Sequence, residues 1–112
     1  AYCGMNSAGK VPLLQIGSTS LTQSMAIIEY LNEIQQEPSL LPMGGAWERA
    51  VVRQMCLVLV ADTQPLQNLS VLRVIPDKEW PARVIRQGLN TFVGLVEKHG
   101  GMFSFGNRVT MA

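Results

Sequence analysis

Thr22-Gln23-Ser24-Met25-Ala26-Ile27-Ile28-Glu29-Tyr30-Leu31 is the stretch around which this chain is organised. Ile27, Tyr30, Leu31 and Ile34 recur at helical spacing and predict a stripe that faces a core. Glu29, Asn32, Glu33 and Gln36 fall largely on the other side. Ser24 stands just ahead of the first apolar-periodic residue, which is the place of an N-cap. An N-cap leaves backbone N–H groups, a hydroxyl and the positive end of the helix dipole pointing one way, and that arrangement accepts a carboxylate or phosphate. Gln23 adds an amide with donor and acceptor atoms. Taken alone, Ser24 reads as an ordinary helix cap, because most caps bind nothing.

Upstream, Val11-Pro12-Leu13-Leu14-Gln15-Ile16 predicts a short strand, with Pro12 near its start where a missing N–H is tolerated. Gly17-Ser18-Thr19-Ser20 predicts a turn, and Leu21 a second short strand. The order is strand, turn, strand, helix N-terminus. Val11-Pro12, followed by Gln23-Ser24 and then Ala26-Ile27-Ile28-Glu29-Tyr30-Leu31, resembles the second half of a glutathione transferase N-terminal domain. The resemblance implies a thioredoxin-like fold and a cis Val11–Pro12 bond, which turns the Val11 backbone toward glutathione. It also implies that Gln23-Ser24 holds the γ-glutamyl carboxylate.

The 112 residues suffice for one small domain, and a 47% hydrophobic content permits an apolar core. Net charge is +1 with the cations dispersed, so no nucleic-acid surface is indicated. The longest apolar run, residues 55–61, is far short of a membrane span. Cys56 sits in an apolar helical stretch and reads as a small buried hydrophobe; Cys3 lies near the terminus with nothing arranged to lower its pKa. Two cysteines so placed make no disulfide scaffold, and a reducing cytosol fits them. His99 reads as a cation at a helix end, and one His with two distant Cys closes no metal site.

Residues 1–10 have neither period and read as a loop. Glu37-Pro38-Ser39-Leu40-Leu41-Pro42-Met43-Gly44-Gly45 reads as a linker. Ala46 to about Thr63 is helical, with Val51, Met55, Val58 and Leu59 as its apolar stripe. Pro65 predicts a break at Thr63-Gln64 before helix resumes through Leu72, with Leu66, Leu69 and Leu72 in a core. That leaves Gln64, Gln67, Asn68 and Ser70, four neutral polar side chains around the break, where a solvated face more often carries Lys and Glu. A second helix succeeds the Val74–Asp77 turn, with Pro81 in its first turn and Val84 or Ile85, Leu89, Phe92, Val93 and Val96 on one face. Gly88 and Gly94 lower its propensity and suggest close helix contact, and Gly100-Gly101 predicts a glycine cap.

Gln64-Pro65-Leu66-Gln67-Asn68-Leu69-Ser70-Val71-Leu72 narrows the resemblance to the zeta class of glutathione transferases, the maleylacetoacetate isomerases. In that class, glutathione contacts fall on the positions of Gln64, Asn68, Leu69 and Ser70. Leu40-Leu41-Pro42 resembles the family's interdomain linker, and Gly106-Asn107 through Thr110 to Ala112 resembles the segment in which a Ser or Thr caps a buried helix. The implied architecture is a partial glutathione transferase fold. Residues 1–36 form the C-terminal half of a thioredoxin-like α/β domain, 37–45 a linker, and 46–112 the first helices of an all-α domain. No stretch here matches the Ser-Ser-Cys-type motif that activates glutathione in this class. The chain therefore reads as an internal fragment, inactive alone.

For a full-length member the resemblance implies glutathione-dependent isomerisation of maleylacetoacetate to fumarylacetoacetate, in phenylalanine and tyrosine breakdown, by a cytoplasmic homodimer. Small electrophiles are the implied substrates, with no nucleic-acid, membrane or metal partner. The alternative is a truncated glutathione-binding or protein-interaction module without catalysis.

Overall fold

The computed structural model describes residues 2–35 and 37–112. The chain divides into two compact units, one up to Ser39 and one from Leu40 on. Gln36, expected on the polar face of the first long helix, lies outside the described residues, as does the side chain of Cys3.

The first unit opens with a single helical turn, α1 (Tyr2–Met5), where a loop was expected. The Ser20 hydroxyl donates to the Met5 carbonyl at 3.2 Å, a tertiary bond that local periodicity does not reveal. Strands β1 (Leu13–Ile16) and β2 (Thr19–Thr22) form an antiparallel hairpin from Leu13 opposite Thr22 to Ile16 opposite Thr19. Its connection is the two residues Gly17-Ser18, shorter than the expected four-residue turn. Gly17 takes φ +57°, the left-handed backbone that tight hairpins require and that glycine adopts without cost. Thr19 Oγ1 donates to the Ile16 carbonyl at 2.9 Å and closes the loop.

Helix α2 (Ser24–Ile34) packs on β2, and Ile27 and Tyr30 of its stripe are half-buried. The expected core stripe does not extend along its full length. Leu31 is 41% and Ile34 61% exposed. A two-stranded sheet covers only the nearer turns of a helix about 16 Å long.

The second unit is helical. Helix α3 (Ala46–Leu57) buries Val51, Val52, Met55 and Cys56 on one stripe. Met55 and Val52 are fully enclosed. Burial of such side chains contributes ~1.5–3 kcal/mol each. The helix then widens into a π-helical turn, Val58–Thr63. Pro65 has no N–H to continue the ladder, while Gln64 itself keeps helical backbone (φ −60°, ψ −42°). The Gln64 N–H instead reaches back five residues to the Leu59 carbonyl at 2.8 Å. A short 3-10 turn (Pro65–Gln67) and the four-residue α4 (Leu69–Leu72) come next. Leu66 and Leu69 were expected in a core; Leu66 is exposed and Leu69 is 73% exposed. The change of helix type at Pro65 turns that spacing away from the interior.

Helix α5 (Trp80–His99) begins with Pro81 in its first turn. Asp77 accepts the Glu79 N–H at 2.9 Å ahead of it, and Trp80 Nε1 donates to the Leu66 carbonyl at 2.8 Å. Val84 and Gly88 are its buried residues. Of the two glycines expected to permit close contact, Gly88 meets Thr63 and Gly94 meets nothing within 4 Å. Gly100 ends α5 in extended backbone (φ −72°) rather than as a left-handed cap. Glycine is needed there because an added Cβ would lie 2.5 Å from the Val96 carbonyl oxygen. His99 stacks on Phe105 with ring centroids 6.3 Å apart. The tail returns to the unit's start: the Met111 N–H donates to the Leu40 carbonyl at 2.9 Å, and the Cys56 thiol to the Met111 carbonyl at 3.2 Å. Thr110 Oγ1 accepts the Ala112 N–H at 3.3 Å.

Candidate functional site

In the first unit the expected site residues gather at one end of the hairpin. The ladder's last pair, Leu13 and Thr22, leads directly into Pro12-Val11 on one strand and Gln23-Ser24 on the other. The Val11–Pro12 bond is cis, as expected, and Val11 is 84% exposed. The approach to Val11 is shaped by Asn6, whose Oδ1 accepts the Ala8 N–H and whose carbonyl accepts the Gly9 N–H. Asn6 Nδ2 donates to the Lys10 carbonyl.

The cap of α2 is shifted by one residue from expectation. Gln23, not Ser24, occupies the N-cap position, and Ser24 is the first helical residue. Gln23 holds φ 74° and ψ 116°, a backbone that costs a non-glycine residue ~1–3 kcal/mol. Its side chain makes no capping bond, so it does not compensate locally. Its carbonyl accepts the Ile27 N–H at 3.0 Å and starts the helical ladder. The half-buried Ser24 hydroxyl has no hydrogen-bond partner among the described residues. A helix N-terminus with free N–H groups, a free hydroxyl and a neighbouring amide is suited to a carboxylate.

In the second unit Gln64 and Asn68 are brought together: Gln64 Nε2 donates to Asn68 Oδ1 at 2.8 Å. Asn68 is extended (φ −64°, ψ 149°), and its carbonyl accepts the N–H groups of Val71 and Leu72. Leu69 and Ser70 lie exposed in the next turn. A pair of side-chain amides bonded to each other still leaves an N–H and carbonyl oxygens free, which suits a peptide-like ligand. Sequence reasoning missed Thr63, which is buried one residue before Gln64. A threonine beside Asp62 and ahead of Gln64-Pro65 gives no signal of its own until a π turn places it inward.

Among the described residues, no group of three or more His, Cys, Asp or Glu is placed to hold a metal ion. None of the described helices is long and apolar enough to cross a membrane.

With this geometry in place, comparisons with known proteins are informative. Residues 1–33 match the family model of the glutathione S-transferase N-terminal domain. Over 99% of its length the chain is 40% identical to the maleylacetoacetate isomerase of Dictyostelium discoideum, covering 54% of that protein. Over 96% it is 36% identical to the maleylacetoacetate isomerase of Mus musculus, covering 51%. Among solved structures it resembles a bacterial zeta-class maleyl pyruvate isomerase, with TM-score 0.88 and 29% identity over 97% of this chain and 56% of that one. It also resembles a maleylacetoacetate isomerase from Anaeromyxobacter dehalogenans 2CP-1 solved with glutathione in its active site. There the TM-score is 0.84 and the identity 38%, over 94% of this chain and 53% of that one.

The fold of the chain is a partial glutathione transferase fold. Its sequence is similar to maleylacetoacetate isomerases, and its structure to a zeta-class glutathione transferase. It spans about half the length of the curated relatives it matches.

Proposed function

We propose that this chain is part of a glutathione-dependent isomerase that converts maleylacetoacetate to fumarylacetoacetate, with glutathione transferase activity on small electrophiles. The observation that carries the reading is the end of the hairpin: a Ser24 hydroxyl with no partner among the described residues, at the start of α2, beside an amide residue held in a costly backbone. Such strain persists where the surroundings enforce it, and it concentrates at ligand-binding positions.

Residues 1–36 are assigned to a thioredoxin-like domain, 37–45 to the linker and 46–112 to an all-helical domain. Gln23 and Ser24 would take the γ-glutamyl carboxylate, and the backbone of Val11 the peptide portion of glutathione. Gln64, Asn68, Leu69 and Ser70 of the helical segment would also contact glutathione. These residues fit the cofactor, since a carboxylate and amides meet a helix N-terminus and two amide side chains. When bound, glutathione supplies a thiolate whose addition to the substrate double bond, and later elimination, exchanges cis for trans. The side chains named here would bind and orient; none of them is a base near neutral pH. A homodimer and a cytosolic setting complete the reading, and the buried thiol of Cys56 suits a reducing compartment.

The test is a spectrophotometric isomerisation assay on protein expressed from the complete coding sequence that contains these residues. Glutathione-dependent conversion of maleylacetoacetate is expected. Glutathione binding by calorimetry without any isomerisation would favour a binding module over an enzyme.

A further inference from the structure

The π turn holds one more residue per turn than an α-helix, and turns of this kind need a local reason to persist. Thr63 supplies one. It is only 8% exposed, and its Oγ1 donates to the Val58 carbonyl at 2.7 Å. Gly88 of α5 supplies the second. A Cβ added there would lie 1.9 Å from Thr63 Oγ1 and 2.6 Å from its Cγ2, so any side chain at 88 would displace the threonine. A crevice of about 270 Å³ opens beside them, lined by Asp62, Leu66, Gln87 and Thr91 among others. The turn is therefore not wedged in place from every side.

The amide pair comes directly after the π turn. Gln64 is the next residue, its N–H bonded to the Leu59 carbonyl and its side chain to Asn68. If the turn relaxed to an α-helix, losing its extra residue, Gln64 would swing by about 100° about the helix axis. The Trp80–Leu66 bond fixes the segment beyond, so the swing would separate Gln64 from Asn68.

We infer that Thr63 and Gly88 form a lock that positions the Gln64–Asn68 pair for glutathione, Thr63 acting as a positioning residue. The inference rests on the assignment of Gln64 and Asn68 to the glutathione site. The lock makes glutathione affinity depend on a buried hydroxyl that does not touch the ligand.

The experiment uses protein from the complete coding sequence and two readouts, calorimetric glutathione affinity and hydrogen exchange at the Gln64 amide. Thr63→Val keeps the volume but removes the donor, and should weaken glutathione binding about three- to tenfold, the range one hydrogen bond's net worth spans. It should also speed Gln64 exchange. Thr63→Ser, which keeps the hydroxyl, should restore affinity to within about twofold. Val52→Ala is the control: it lowers stability through the α3 core and should leave affinity unmoved. Wild-type affinity in Thr63→Val, with weakened binding in Gln64→Ala, overturns the lock. Wild-type affinity in Gln64→Ala overturns the site assignment instead, and Gln64 exchange then decides the lock: an unchanged rate in Thr63→Val overturns it. No variant is needed for one further outcome. A Gln64 amide that exchanges as fast as that of exposed Ser70 in the wild-type protein also overturns it.

Discussion

At the scale of residues, Gln23 bears the clearest conflict between stability and use. Among the described residues no other non-glycine residue has a positive φ. Glycine would relieve that backbone, so Gln23→Gly should raise the urea-unfolding free energy by about 1 kcal/mol while weakening glutathione binding through loss of the amide. A variant that loses stability would show that the conformation is not strained. Ser24 presents the complementary case. Its hydroxyl has no partner among the described residues, so removing it leaves nothing unpaired in the free protein. Ser24→Ala should leave the melting temperature near that of the parent and cost about 1–3 kcal/mol of glutathione affinity by calorimetry, the worth of a hydrogen bond to a charged group. The Gln23-Ser24 pair was legible in the sequence because a polar pair stood ahead of a helical period. Its register was not. Capping preferences point to serine, whereas the backbone turns one residue earlier at Gln23, a residue type that capping statistics do not favour.

At the scale of elements, what the sequence showed and what it hid divide at Pro65. The stripe of Val51, Met55 and Val58, which runs from α3 into the π turn, was readable from spacing alone and is buried, while Leu59 of the same stripe is only half-buried. Beyond it, Pro65 announced a break but not its form. The ladder widens by one residue before ending, and that choice depends on Thr63 meeting Gly88, two residues far apart in sequence. The exposed Leu66 and Leu69 result from the same change, since a period carried through a break no longer marks one face. The start of α5 is likewise set by particular contacts. Asp77 pairs with Arg83 at 2.5 Å, and Arg83 lies over the Trp80 ring with 6.0 Å to the centroid. The Arg83 hydrogen bond, helped by the Glu79 N–H, holds the Asp77 carboxyl below its usual value of 3.8. A carboxylate depressed in the folded state adds stability that is present above its unfolded pKa and is lost as pH falls through the lower, folded value. Asp77→Asn should therefore melt below the parent at about pH 5, and the gap should narrow as pH drops well under 3.8. Because the pair is exposed, added salt should shrink the gap too. A gap that widens toward acid would contradict the assignment.

At the scale of the whole chain, the proposed binding residues are shared between two compact units, Val11, Gln23 and Ser24 in one and Gln64 and Asn68 to Ser70 in the other. None of these side chains ionises near neutral pH, and a free thiol there is only a few per cent thiolate. The 112 residues expressed alone should therefore show no appreciable isomerisation of maleylacetoacetate, while protein from the complete coding sequence should. Equal turnover by both at equal concentration would mean that some residue within these 112 activates the thiol. The order of hairpin and helices was readable because each motif stood in the order that the resemblance implies. How the tail returns was not, since hydrogen bonds between residues 40, 56 and 111 leave no periodic trace. That return gives the helical unit a built-in clock. The Cys56 thiol is buried beneath the Met111 carbonyl, so an alkylating reagent can reach it only when the strap formed by the tail lifts or α3 comes apart. In a Cys3→Ser background, the rate of labelling at this one sulfur would time that opening, with no dye or added tag.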